Sequence, residues 1–242
     1  MRDAKGFTLV EMVVAIAVAM GLLTAVYLAI NSTQRHSSSI ERKVTAQQDV
    51  KPALDIMALE IGMASYNPTF APIANNLWVN STTCTSTGTT QTYRGIQEAT
   101  ANSIAVEMDI SGSGSTPDDG NGALGEDNEI IRYDYDTANQ RITRATSCES
   151  AQSFLGGTVA GQKTVRVINS GSNGLGIPIF RYYDGTGNEI TVSGNDLGGR
   201  IPDIRRIEIV LAVETENNDA NTNQPRRLIY STSVIPRNHA IQ

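Results

Sequence analysis

The chain has 242 residues, two cysteines and two histidines, and its formal net charge is −6 with a pI near 5.0. An acidic chain of this kind argues against nonspecific nucleic-acid binding as a main role. Two cysteines are too few for a disulfide scaffold, and the sequence has no CxxC motif or His-rich tract that indicates a zinc or redox cofactor.

The first predicted element is an apolar helix behind a short leader, residues 1–6. Almost every side chain of residues 7–30 is apolar, and these 24 residues reach about 36 Å as a helix, enough to cross a hydrocarbon core of about 30 Å. A secretory signal has a shorter apolar stretch and a small-residue cleavage site after it, which the sequence lacks. The segment therefore predicts a membrane-spanning helix, and the leader's Arg2 and Lys5 predict that the rest of the chain is exported.

Glu11 is an acid inside this apolar segment. Such an acid costs about 2.5–3.5 kcal/mol near the bilayer centre, so its presence needs a reason. Cleavage after Gly6 would give Phe7 a free α-amine, and the amine of one subunit could pair with the Glu11 carboxylate of another in an apolar filament core. A simple membrane anchor explains the length of the segment but gives no reason for the acid.

The segment Lys5-Gly6-Phe7-Thr8-Leu9-Val10-Glu11 resembles the class III signal of type IV prepilins and type II secretion pseudopilins. The resemblance implies that a membrane prepilin peptidase cuts after Gly6 and methylates Phe7, and that Glu11 is needed for incorporation into a filament. It also implies other pilin and minor pilin subunits and an inner-membrane assembly platform as partners. The chain would lie in the inner membrane first, and later in a surface pilus or a periplasmic pseudopilus.

Residues 31–66 are predicted to continue the helix beyond the membrane, with apolar side chains at helical spacing. Pro52 is expected to kink or loosen the helix, and Asn67-Pro68 to end it. A helix of this extent would be roughly 88 Å long.

Residues 67–242 form the predicted β-rich body, in which several runs alternate as half-buried strands do. The predicted strands are Ser103–Ile110, Glu129–Tyr135, Arg141–Arg144, Lys163–Ile168, Ile179–Gly185, Arg206–Val213 and Arg227–Ile235. Residues 137–140 are predicted to be a hairpin turn. Seven or so short strands joined by such turns predict a largely antiparallel sheet packed on the helix, an α+β architecture, and the resemblance implies the type IV pilin fold.

The segment Ala53–Pro68 resembles the helix end of PilW-like minor pilins, which in turn are similar to J-type pseudopilins. Gly62 and Ser65 stand where that group usually has an arginine and a glycine. The resemblance implies a minor pilin that primes or caps a type IV pilus. A minor pseudopilin of a type II secretion system and an anchored adhesin or DNA-binding module that never polymerises are the alternatives.

Export permits a disulfide between Cys84 and Cys148, and two unrelated buried thiols are the alternative. The acidic, glycine-rich stretch around Asp118, Asp119 and Asp127 carries hard oxygen ligands that suit calcium. Its spacing does not match an EF-hand, however, and a solvated loop explains it as well.

No catalytic motif is found, and the sequence predicts a protein that is not an enzyme. His36 follows the membrane segment and His239 is close to the C-terminus, so neither suits a buried general base. No serine occupies a GxSxG elbow. The pairs Arg205-Arg206 and Arg226-Arg227 contrast with acid-rich residues 98–150, an asymmetry that suits either contact with a neighbouring subunit or DNA, or a solvated surface.

Overall fold

The computed structural model describes residues 6–68, 93–110, 124–157, 165–171, 174–191, 196–219 and 222–239, together with Trp78, Gly120 and Gly122. These residues form a helix α1 (Leu9–Gly62), a 3₁₀ helix (Gly198–Asp203) and two antiparallel sheets. The strands are, in chain order, β1 (Ile96–Ala99), β2 (Ser103–Glu107), β3 (Ile130–Asp136), β4 (Arg141–Thr146), β5 (Gln152–Gly156), β6 (Val165–Val167), β7 (Phe180–Tyr183), β8 (Glu189–Ile190), β9 (Arg206–Asn218) and β10 (Pro225–Val234). The predicted α+β architecture is confirmed and is consistent with the type IV pilin fold.

Helix α1 has 54 residues and is therefore about 81 Å long. It begins two residues later and ends four residues earlier than predicted. Pro52 lies inside the helix without ending it. Its ring crowds the carbonyl of Gln48, and because both residues are exposed, water can hydrate that carbonyl.

The two ends of α1 have opposite surroundings. Residues 9–30, here called the bare half, have every side chain exposed. Residues 39–61, the docked half, bury one face at spacings of three, four or seven residues, as an amphipathic helix does. The buried side chains of this face are Ser39, Ala46, Val50, Ala53, Leu54, Met57 and Ile61. Among the described residues, α1 is the helix long and apolar enough to cross a membrane.

The body contains two five-stranded sheets where the sequence predicted one. The first has the order β1-β2-β3-β4-β5, and the second has β10-β9-β7-β8 with β6 also on β9. Residues 137–140 form the predicted turn between β3 and β4, with Asp136 opposite Arg141. Side chains of both sheets and of the docked half share one apolar core.

Asn169 completes the edge of β9 between the two short strands that pair there. Its side-chain nitrogen donates to the carbonyl of Val210 at 2.8 Å, and its side-chain oxygen accepts from the N–H of Ala212 at 2.8 Å. The residue is fully buried. Its amide therefore takes the place of a strand residue and satisfies two backbone groups that would otherwise be buried without partners.

The β9–β10 hairpin runs alongside the docked half of α1. Near the turn of the hairpin, the Ser39 hydroxyl donates to Asp219 at 2.6 Å. At the other end, a methyl group added to Gly62 would lie 3.3 Å from Cγ2 of Val234. The hairpin turn thus marks the end of the body nearest the bare half.

A polar cluster joins the end of α1 to the first sheet. Arg144 of β4 makes two hydrogen bonds to Glu60, at 2.6 and 3.1 Å, and the hydroxyl of Tyr133 on β3 donates to the same carboxylate. Burial, followed by the negative charge of Glu60, raises the pKa of Tyr133. The acid at the helix end therefore has its basic partner on the first sheet.

Candidate functional site

The N-terminus of α1 is closed by a capping box formed by Thr8 and Glu11. The Thr8 hydroxyl accepts from the N–H of Glu11 at 3.2 Å, and the N–H of Thr8 donates to Oε2 of Glu11 at 2.8 Å. The Thr8 hydroxyl also donates to Oε2 at 3.0 Å. These bonds satisfy donors that every helix N-terminus leaves without an intrahelical partner, and the helix dipole favours the negative charge there.

The capping bonds reach only one oxygen of the Glu11 carboxylate. All three involve Oε2 or the backbone of Glu11, and within the described residues Oε1 accepts no hydrogen bond. The sequence argument treated this acid as uncompensated until another subunit supplies a charge. In the structure the capping box gives Oε2 of this carboxylate two hydrogen bonds from Thr8, and Oε1 is left to accept hydrogen bonds from another group.

Gly6 and Phe7 lie outside the helix and in the open. Phe7 is 87% exposed, and among the described residues no atom beyond the chain neighbours of Gly6 lies within 4 Å of a Cβ built on that glycine. The peptide bond between them also precedes Thr8, whose backbone is extended rather than helical. An enzyme can therefore reach this bond without unfolding the first turn of α1.

Thr8 is the residue of this site that the sequence reasoning missed. Thr8-Leu9-Val10-Glu11 has the S/T-x-x-E spacing of a capping box directly before an apolar run. That pattern identifies Thr8 as the N-cap and places the start of the helix at Leu9. The bonds do not use the backbone N–H of Phe7, so the capping box is compatible with a free amine at Phe7.

The bare half that follows presents a continuous apolar surface. Its large side chains are all more than half exposed, the most exposed being Leu9 at 80% and the least exposed Ile16 at 51%. No soluble domain leaves so long an apolar segment in water, because exposed patches of this size mark membrane or protein contacts. The surface needs a bilayer or other helices around it.

The acidic stretch that was predicted to suit calcium lies partly among the described residues. Asp118 and Asp119 lie outside the described residues, and Asp127 lies in a turn before β3. Nearby, Asp109 accepts from the N–H of Gly122 at 2.9 Å, and Glu129 accepts from the N–H groups of residues 125 and 126 at 3.1 and 3.0 Å. Within the described part of the chain, no cluster of three candidate ligands is arranged to hold a metal ion, and these two buried acids anchor the loop through its backbone.

Cys148 lies in the turn after β4 with a positive φ of 59°. Its predicted partner, Cys84, lies outside the described residues. The pairing of the two cysteines stays a prediction.

His239, which the sequence placed near the C-terminus and did not favour as a buried general base, is buried in the structure. The residue is 3% exposed. Its Nε2 is 2.9 Å from the carbonyl of Ile201, and its Nδ1 is 2.9 Å from the carbonyl of Arg94. Burial lowers the pKa of His239 more than these carbonyls raise it, and the charge of Arg205 lowers it further.

Ser65 lies 3.1 Å from Nδ1 of His239, a distance typical of a nucleophile and its base. The hydroxyl of Ser65 donates instead to the carbonyl of Arg94 at 2.8 Å, and Ser65 itself is only 5% exposed. No substrate can reach this serine. The contact joins the C-terminal segment to the end of α1 and has a structural role.

A profile of the prokaryotic N-terminal methylation motif matches residues 1–27, which include the leader, Gly6, Phe7, the capping box and most of the bare half. Comparisons with curated proteins and with solved structures give no match. Proteins with this motif are structural subunits that prepilin peptidase processes and that assemble with other pilins. Together, the motif, the exposed apolar helix and the fold support a precursor of the type IV pilin or pseudopilin kind, anchored in a membrane before assembly.

Proposed function

We propose that this chain is a minor type IV pilin, cut after Gly6, methylated at Phe7 and incorporated at or near the tip of a pilus. One observation carries the proposal. An open Gly6–Phe7 bond directly precedes a capped acid and an apolar half-helix that nothing in the body covers. A membrane anchor needs the apolar half-helix, but it needs neither the cleavable bond nor the acid.

The geometry supports a specific pairing during assembly. After cleavage, the ammonium group of Phe7 in one subunit meets Oε1 of Glu11 in its neighbour, while Oε2 stays in the capping box. Both charges leave water when the bare halves pack together, so each needs the other in an apolar surrounding. The pairing also fixes the axial position of one helix relative to the next.

Mass spectrometry of the mature N-terminus tests the processing step, and we expect a chain that begins with methylated Phe7. In Gly6→Ala the full-length precursor should stay in the membrane. Gly21→Ala is the matched control, because a Cβ at Gly21 also meets open space and the residue is distant from the cleavage bond. A mature chain that begins at Met1, or after residue 30, would contradict the proposal.

Two substitutions of Glu11 separate its charge from its capping role. Glu11→Gln keeps an oxygen that can accept from Thr8, whereas Glu11→Ala loses the cap and the charge together. We expect cleavage and membrane insertion in both variants and loss of filament incorporation in both. Glu41→Ala, which removes an exposed acid elsewhere on α1, should be incorporated normally. Incorporation of Glu11→Gln at the normal level would reject the pairing.

The alternatives predict other outcomes of the same experiments. A minor pseudopilin would pass every N-terminal test but support protein secretion instead of pilus formation. An anchored adhesin or DNA-binding module would keep its function in Gly6→Ala. We also propose that Cys84 and Cys148 pair after export, which peptide mapping without reduction would detect as one cross-linked peptide.

A further inference from the structure

A cavity of about 720 Å³ opens beside the turn of the β9–β10 hairpin. Three arginines line it, one on β6 and two at the start of β10, and two acids of β9 and its turn lie among them. These residues are Arg166, Arg226, Arg227, Glu214 and Asp219. The cavity is large enough for a small ligand, and its charged lining favours a polar, anionic one.

The two acids do not use up the hydrogen-bonding capacity of the arginines. Arg227 donates to Glu214 at 3.1 Å, but Arg166 approaches Glu214 only to 3.9 Å and Arg226 approaches Asp219 only to 3.8 Å. The Nε of Arg166 is buried and has no hydrogen-bond partner among the described residues. Asp219 also accepts from Ser39, so its carboxylate is shared with the helix.

Guanidinium groups with unused donors are suited to phosphate and carboxylate oxygens, which they bind in pairs of parallel hydrogen bonds. Because the guanidinium groups of Arg166 and Arg226 approach their acids only to 3.9 and 3.8 Å, they retain donors from which an anion in the cavity can accept hydrogen bonds. The three arginines outnumber the two acids, so the cavity retains a net positive charge of one. A phosphate monoanion fits both requirements.

The position of the cavity indicates where that phosphate comes from. Ser39, which contacts the hairpin turn, is nine residues beyond Ile30, or about 14 Å along the helix. Lipid headgroups extend about 5–7 Å beyond the hydrocarbon core. The remaining gap of about 7–9 Å is comparable with the reach of an arginine side chain. Arg35 of α1 lies in the same interval, and Arg42 and Lys43 follow Ser39 within four residues, so all three add positive charge near this end of the body.

We propose that this cavity binds the phosphate of an anionic phospholipid headgroup while the chain is held in the membrane before assembly. The inference rests on the membrane-anchored precursor of the proposed function but not on cleavage or polymerisation. Binding would seat the body on the bilayer surface and fix its rotation about α1. Transfer into a filament would then release the lipid.

The test uses the unassembled full chain in a neutral detergent, titrated with dioctanoyl phosphatidylglycerol and followed by native mass spectrometry. We expect one bound lipid and a loss of affinity of about 25-fold in the double variant Arg166→Gln/Arg226→Gln, at about fivefold for each arginine near an anionic surface. The double variant Arg166→Lys/Arg226→Lys keeps the charge but loses the planar guanidinium group. Its affinity for the lipid should lie between those of the wild type and the glutamine double variant. Arg200→Gln is the matched control, because the 3₁₀ helix lies against the opposite end of α1 through His239.

Dioctanoyl phosphatidylcholine and glycerol 3-phosphate complete the experiment. If the chain binds both compounds more weakly than it binds phosphatidylglycerol, the result supports a site for an anionic lipid headgroup. Equal affinity for glycerol 3-phosphate would overturn the lipid assignment in favour of a soluble anion. Equal binding of phosphatidylglycerol by the wild type and by a double variant with an unchanged melting temperature would overturn the site itself. Each result is independent of whether Gly6 is cut, so failure here is distinguishable from failure of the proposed function.

Discussion

The bare half and the docked half of α1 belong to one uninterrupted helix, yet their side chains meet opposite surroundings. The docked half is apolar on one face, and the body covers that face. The bare half is apolar all round, and the body covers none of it. A helix with one apolar face can bury that face against a single sheet, whereas a helix that is apolar on all sides has to be surrounded by lipid or by other helices. The same backbone is therefore covered by its own chain at one end, whereas at the other end it presents an apolar surface of the kind that suits a bilayer or neighbouring helices.

The largest expected contrast comes from removing the same side chain in each half. Ile61→Ala should lower the free energy of unfolding of the body by about 2–5 kcal/mol, because a fully buried side chain leaves a cavity. Ile16→Ala, whose side chain is exposed, should change it by less than about 0.5 kcal/mol. Denaturant titration of the full chain in detergent measures both. Equal effects would show that the two halves are not energetically separate.

A charge introduced into the bare half should act on insertion instead of folding. Val18→Asp places a carboxylate near the middle of the apolar segment and should disfavour insertion by about 2.5–3.5 kcal/mol. Gln48→Asp, at an exposed position of the docked half, should insert normally. The fraction of chain recovered in membranes is the measurement, and normal recovery of Val18→Asp would argue against a membrane-spanning bare half.

The polar cluster at the end of the docked half should have a smaller effect. Glu60→Ala leaves Arg144 and the Tyr133 hydroxyl without their shared acceptor, which we expect to cost about 1–3 kcal/mol of stability. Combining it with Arg144→Ala should cost less than the sum of the single changes, because the residues are in contact. Glu41→Ala is the control on the same helix. Additive effects would mean that the cluster does not hold the helix to the sheet.

His239 gives the smallest effect and a pH dependence. Its lowered pKa means that the unfolded chain binds a proton more readily, so stability is highest above the ordinary pKa of about 6.5 and falls as the pH drops from there towards the folded pKa. The slope is at most about 1.4 kcal/mol per pH unit. His239→Gln should lose this slope between pH 7.5 and 5.5, whereas His36→Gln, on the exposed part of α1, should keep it. An unchanged slope in His239→Gln would assign the pH dependence to other groups.

The sequence predicted those elements that carry a recognisable pattern of residues within their own segment. The alternation of Ile207, Ile209 and Leu211 identified β9, and the segment Lys5–Glu11 predicted a processing site at Gly6 that stays a prediction. Strands β1, β5 and β8 were missed because their short sequences, IQEA, QSFLG and EI, lack the alternation of apolar and polar residues that predicts a half-buried strand. The burial of His239 could not be predicted, because it comes from contacts with residues 65, 94 and 201, which are distant in the chain. The role of Thr8, in contrast, could have been predicted from the sequence, because its spacing to Glu11 is that of a capping box.

The hairpin that accompanies the docked half has a mechanical consequence. The hairpin β9–β10 lies against α1 at both of its ends, through Asp219 near the turn and through Val234 beside Gly62. A force along the helix axis can separate the two only by sliding α1 past the strands, so it acts on the whole buried face at once. Tension applied across that axis would peel the same contacts apart one after another. Force spectroscopy should therefore give a higher rupture force for axial pulling between residues 9 and 234 than for pulling at right angles to α1. In a filament of the kind proposed above, such a subunit would resist stretching along the axis of α1.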